Sequence, residues 1–349
     1  MISCRKHLEK INRTRQEYLT RLNKTRLGMN EYVPYMPKGL FKEIMQGFTI
    51  EMASAYPEVN QAYEAMAKFL GQPRDRILMT QGADMAIKIS LETFCDPGDK
   101  VLTISPTFAM YGIHTALLNC ELVQVMCEGD CKVKLEKLLD EIRTGIRAVV
   151  LANPNGVTGY EFSINEVRKI CEQADKNNIV VIMDETYADF GSINSSCLID
   201  EFSNLVIVRS FSKNIGFAGL RVGYIITNEE VAGMIEKMKP MMELNALAVK
   251  AVLALCNHPD YLKKAVKAIT SARHRFGQQM EKLGFPTIER QGNFVLIDFK
   301  DKKEKISETL SANNIEFKAL PTPVDKYIRI TVGTKKVMDY TAKVIKDCK

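Results

Sequence analysis

Residues 205–224 read LVIVRSFSKNIGFAGLRVGY: an apolar run, Leu205–Arg209, feeds a loop of serines and glycines that carries one lysine, Lys213, with Arg221 eight residues further on. The pattern predicts a buried strand that stops where the loop starts. A lysine just past the end of a buried strand is dehydrated and close to other cations, and such an amine is a nucleophile.

Working outward from this stretch, the same kind of apolar run recurs from about residue 77: RILMT, KVLTI, RAVVLA, NIVVIMD, NLVIVRS and RVGYIIT. Amphipathic segments, among them ADMAIKISLETF and INEVRKICEQADKNN, lie between them. This alternation predicts an α/β fold, a large domain built on a mainly parallel, seven-stranded-type sheet covered by helices. The last hundred residues change character, with a long helix from about Tyr261 to Leu283, strands in GNFVLIDF and YIRITVG, and a closing helix from about Lys335. They predict a smaller α+β domain. The expected division is an N-terminal arm with part of the small domain at 1–39, the large domain at 40–243 and the small domain at 244–349.

Composition narrows the function. The 349 residues are 26% charged, and no apolar run approaches the roughly 20 residues of a membrane span. The N-terminal stretch lacks a secretory signal's apolar segment, so the cytoplasm is the expected location. Nine cysteines without a C-x-x-C pair read as free thiols, and the four histidines never fall at metal-ligand spacing, so no metal is expected. The net charge of +6 is local: residues 1–26 hold eight lysines and arginines against two glutamates, and the remainder is balanced. Leu8, Ile11, Tyr18, Leu19 and Leu22 fit one side of a helix, so this arm is expected to lie on the body or on a partner subunit. With no helix-turn-helix segment or aromatic-interleaved basic strand, nucleic-acid binding is not expected, and the absence of a G-x-G-x-x-G turn disfavours a nicotinamide dehydrogenase.

In α/β sheets ligands gather at the carboxyl ends of strands. Five loops in that position, TQGADMA, SPTFAMY, NPNGVTG, DETY and SFSK, hold the residues able to do chemistry. Lys213 can form a Schiff base with an aldehyde, the linkage that holds pyridoxal 5'-phosphate, and that cofactor sets the remaining requirements. Asp184 would pair with its pyridine nitrogen, Tyr187 would reach its 3'-oxygen, and Phe108 would cover the ring. The phosphate calls for a helix start, Gly82-Ala83-Asp84, with Ser210, Ser212 and Arg221.

Taken in order, these motifs resemble the fold-type I pyridoxal-phosphate enzymes of the class I/II aminotransferases, in particular the histidinol-phosphate aminotransferase-like subgroup. LNKTRLGMNEY, SAYPEVNQAYEAMAKFLG, SFSKNIGFAGLRVGY and YIRITVGT carry the likeness. The resemblance implies that Lys213 shuttles a proton between Cα and C4', that Arg329 clamps the substrate's anionic group, and that Tyr56 enters the site from the second subunit of a homodimer. It implies an anionic amino donor and a keto or aldehyde acceptor as partners. Two motifs depart from the pattern. Gly156 and Val157 stand where the family has an asparagine and a proline, leaving Asn155 as the candidate to reach the 3'-oxygen, and Lys318 stands where histidinol-phosphate enzymes carry an arginine. A decarboxylase of the threonine-phosphate type uses the same residues and is the alternative.

Overall fold

The computed structural model describes residues 2–11 and 21–348. Its larger sheet has seven strands in the spatial order Ile77–Thr80, Gly223–Ile226, Leu205–Ser210, Val180–Asp184, Ile146–Ala152, Lys100–Ser105 and Glu121–Met126. All run parallel except Gly223–Ile226, which is antiparallel to both of its neighbours. Alternate residues of each strand enter opposite cores. Val180 and Ile182 join Ala148, Val150 and Val206 under helices Ala83–Phe94 and Glu229–Glu236, whereas Val181 and Met183 face helices Asn60–Leu70 and Ile164–Asp175. Burial on both faces explains why these strands read as unbroken apolar runs.

The helix predicted from ADMAIKISLETF spans Ala83–Phe94, and the one from INEVRKICEQADKNN spans Ile164–Asp175, started by a Ser163–Glu166 capping box. A second sheet, ordered Lys318–Ala319, Tyr327–Thr331, Phe294–Asp298 and Thr287–Ile288, is antiparallel and packs with helix Asp260–Lys282, on which helix Lys335–Cys348 packs in turn. Helix Ala246–Asn257 packs on Asn60–Leu70 and Lys38–Gln46, on the large-sheet side.

The N-terminal arm differs from the single amphipathic helix expected of it. Residues Tyr18 and Leu19 lie outside the described residues; Lys6–Lys10 and Arg21–Asn23 form short 3-10 turns, and Leu22 is exposed. His7 Nε2 lies 3.1 Å from Leu117 O, while Arg21 pairs with Glu31 and Glu316, so part of the arm's charge is answered within the chain. Thr25–Arg26 then pairs in parallel with Ile315–Glu316, and Thr331 N–H donates to Leu27 O at 2.9 Å. This seam delivers residues 28–30 to the edge where the large sheet's loops meet the small sheet. No described helix is long and apolar enough to cross a membrane.

Candidate active site

The reversed strand builds one half of the site. Because Gly223–Ile226 runs against its neighbours, its first residue lies at their carboxyl ends, paired with Thr80 on one side and Ser210 on the other. A Cβ on Gly223 would come within 2.5 Å of Gly82 C and 2.7 Å of Ala83 N, so only glycine permits this approach. Gly82, with φ +81°, turns the chain into helix Ala83–Phe94, whose first-turn N–H groups have no partner inside the helix. Around that start stand Ser210 Oγ, 3.0 Å from Ser212 Oγ, and Arg221, whose Nη2 donates to Gln81 O at 3.2 Å. Arg221 has no carboxylate partner among the described residues. The Asp84 carboxylate is held by His114 Nε2 at 2.9 Å. Helix start, hydroxyls and a guanidinium bound only to backbone carbonyls together suit a dianion.

Asp184 closes the central strand and is buried. It accepts the Tyr111 O–H at 2.6 Å and the Thr186 N–H at 3.0 Å, but no cation. Its neighbour Glu185 is also buried yet ion-paired with Arg209 at 2.5 Å. Burial pushes the Asp184 carboxyl up from the ordinary aspartate range, with the two hydrogen bonds opposing it. Burial and the Asp184 charge push the Tyr111 phenol well above its usual value, so it stays a donor. Sequence reasoning missed Tyr111; its signal is its place three residues after Phe108 in SPTFAMY. The Phe108 ring is half-exposed and meets Tyr111 edge-on at 5.7 Å between centroids.

Three consecutive residues bring the other functional side chains together. Gly28 O accepts Arg329 Nη2 at 2.9 Å, Met29 O accepts Lys213 Nζ at 3.0 Å, and Asn30 Nδ2 donates to Tyr187 Oη at 2.9 Å. None of the three was singled out from sequence, because two act through backbone carbonyls that any residue has. Arg329 is 7% exposed, donates its other terminal nitrogen to Gly156 O at 2.5 Å, lies 5.3 Å over the Phe294 ring, and leaves Nε without a partner. Burial lowers its pKa from the usual arginine value, which marks a cation held in place with no anion beside it. Lys318 is the direct cross-strand partner of Arg329, so both side chains rise from one face of the sheet, Lys318 exposed.

Asn155 is committed to its own loop: Nδ2 donates to Pro106 O, and Oδ1 accepts the Val157 and Thr158 N–H groups. Both polar atoms of its side chain thus serve the turn. Tyr56 is 82% exposed, and Tyr35, Phe41 and Ile50 are exposed as well.

Residues 23–345 match the family Aminotransferase class I and II. The chain belongs to that family. It is 29% identical over 323 residues to histidinol-phosphate aminotransferase of Pyrococcus furiosus, covering 92% of this chain and 91% of that one. It is also 29% identical over 324 residues to the enzyme of the same name from Sulfurisphaera tokodaii, covering 92% and 89%. Among solved structures, histidinol-phosphate aminotransferase of Sinorhizobium meliloti, in complex with pyridoxal-5'-phosphate, superposes with a TM-score of 0.89 at 24% identity, covering 98% of this chain and 96% of that one. As a class I and II aminotransferase the chain depends on pyridoxal 5'-phosphate. The unmatched groups suit that cofactor. Among the described residues, a buried carboxyl with no cation beside it (Asp184), an amine with no carboxylate partner (Lys213) and a helix-start cradle whose guanidinium meets only carbonyls answer its ring nitrogen, aldehyde and phosphate.

Proposed function

We propose that this aminotransferase moves an amino group from an anionic amino donor to a keto or aldehyde acceptor in two half-reactions, and that Lys213 holds the cofactor and carries the proton. The donor class includes amino acids, amino-phosphates and amino-phosphonates. Bound pyridoxal phosphate supplies the electron sink. The chain's own residues do the rest: Asp184 keeps a proton on the ring nitrogen, Ala83, Asp84, Ser210, Ser212 and Arg221 hold the phosphate, Phe108 lies against the ring, and Arg329 orients the substrate. The observation that carries the reading is Arg329, a buried guanidinium whose partners are the neutral carbonyls of Gly28 and Gly156. A carboxylate or phosphate in two parallel hydrogen bonds is the ligand that matches it. The homodimer reading, in which Tyr56 reaches the partner's site, is supported by the exposure of that tyrosine and of Tyr35, Phe41 and Ile50, large apolar side chains left uncovered within one chain.

The test is a panel of amino donors added without acceptor to the cofactor-loaded enzyme. Conversion of the bound cofactor to its amine form, with one equivalent of keto product, is the expected result. Release of carbon dioxide would instead favour the decarboxylase.

Specificity gives a second expectation. Replacing Arg329 by alanine should lower kcat/KM for every donor by about 30-fold to several thousandfold, the range for truncating one side of a buried charged pair. Lys318→Ala should lower it by only about fivefold, and mainly for donors with a second, distal anion, because an exposed lysine makes a screened contact. The measurement compares one mono-anionic with one phosphorylated donor. Equal losses for both in Lys318→Ala would remove this lysine from substrate recognition.

A further inference from the structure

Asn30 is 1% exposed, sits in the left-handed region at φ +54°, and has every polar group of its side chain in use. Its amide orientation follows from its partners. Nδ2 lies 2.9 Å from Gly156 O, and since a carbonyl can only accept, the atom facing it must be the nitrogen. On the other side, Thr331 Oγ1 accepts the Asn30 backbone N–H at 3.0 Å and is free to donate to Oδ1, also at 3.0 Å. The second hydrogen of Nδ2 then goes to Tyr187 Oη at 2.9 Å. An amide nitrogen has no lone pair to offer, so Tyr187 must accept here, and its own hydrogen is left to be given elsewhere.

Gly156 completes the arrangement. A Cβ at this position would lie 2.5 Å from Tyr187 Cε2, 2.9 Å from Cζ and 3.1 Å from Oη. The present placement of Tyr187 and any side chain at 156 exclude each other. The amide that touches the phenol comes from the opposite wall, on the N-terminal segment, and is oriented by the strand that carries Arg329.

We infer that Asn30 is a positioning residue of this site: held by Thr331, its amide fixes Tyr187 as a hydrogen-bond donor toward the cofactor's ring oxygen, the place Gly156 leaves without a side chain. The inference rests on the cofactor reading above. Because Gly156 O accepts both Asn30 and Arg329, the same carbonyl ties the ring-holding tyrosine to the substrate arginine. A consequence is that Gly156→Asn harms the site by displacing Tyr187.

The test is a double-mutant cycle on the purified full chain, stripped of cofactor and titrated with pyridoxal phosphate at fixed pH. Asn30→Asp keeps the shape but removes both donated hydrogens. It should weaken cofactor binding by about tenfold, the upper range for one hydrogen bond, and change the ratio of the bound cofactor's visible and near-ultraviolet bands. Tyr187→Phe should do the same. The double variant should be no worse than Tyr187→Phe alone, because Asn30 acts through that hydroxyl. An Asn30→Asp protein with the parent's affinity and spectrum overturns the inference, as does a full tenfold further loss in the Tyr187→Phe background, which would show a merely structural role. Should Asn30→Asp not fold, Thr331→Val removes the hydroxyl that orients the amide, and its effect must likewise vanish when Tyr187 is phenylalanine. A parent that binds no pyridoxal phosphate would strike the underlying reading itself, an outcome distinct from an additive cycle.

Discussion

Lys213→Ala is expected to bind pyridoxal phosphate without fixing it. Borohydride treatment of the loaded parent should bleach its visible band and leave the cofactor's mass on the peptide containing Lys213, whereas the variant should keep no added mass. Turnover should fall by about four orders of magnitude or more, because one substitution removes both the covalent anchor and the proton carrier. The loss would not come from unfolding. Lys213 is half-buried and its one hydrogen bond is to Met29 O, while the loop is held by neighbours: Ser212 N–H donates to Ser210 Oγ at 3.1 Å and Asn214 Nδ2 donates to Asp189. Thermal midpoints of parent and variant, both without cofactor, should therefore agree closely. If borohydride still attaches the cofactor to another lysine of the variant, Lys213 is not the anchor.

The residues on the large sheet were legible because physics gives them a local signature. Strands buried on both faces must be apolar throughout, so the loops that follow Thr80, Ser105, Ala152, Asp184 and Ser210 stand out as polar interruptions, and a parallel sheet sets them on one edge. The position of Gly223 between Thr80 and Ser210 was not legible, since it depends on one strand running backwards. Residues 28–30 were hidden for another reason. Gly28 and Met29 act through carbonyls, and Asn30 meets Thr331 across 301 positions of sequence, a contact that only the seam between Thr25–Arg26 and Ile315–Glu316 creates. Asn155 carries a second demand that its resemblance-based role did not reveal: a turn with two N–H groups to satisfy, those of Val157 and Thr158, engages its side-chain oxygen. Pattern locates side chains by element; competition for the same polar atom is decided by neighbours distant in sequence.

Asp184→Asn should separate stability from catalysis. In the parent without cofactor the carboxyl is buried, hydrogen-bonded by Tyr111 and Thr186 and faced by no cation, and its pKa lies above that of the unfolded chain. For a group shifted in this direction, the stability it contributes is complete below the unfolded aspartate value near pH 4 and is lost as pH rises through the higher folded value. As pH rises above the unfolded value, the buried carboxyl therefore weakens the cofactor-free fold. Asparagine is neutral at every pH, keeps an oxygen for the Thr186 N–H, and can accept or donate toward Tyr111, so the variant without cofactor should melt above the parent, with a gap that widens from about pH 4 upward. Catalysis should move the opposite way. In the proposed reading nothing else holds the proton on the cofactor's ring nitrogen, and removing one partner of a buried ion pair costs about 3–5 kcal/mol, which in a barrier is roughly a hundredfold to several thousandfold. The measurements are thermal unfolding of both cofactor-free proteins between pH 4 and 8, and single-turnover rates with one amino donor at saturating cofactor. A variant that transaminates within about tenfold of the parent, a barrier change of roughly 1.4 kcal/mol, would remove Asp184 from the chemistry. A variant that melts below the parent across this range would mean that the buried carboxylate is matched within the fold and needs no cationic ring to balance its charge.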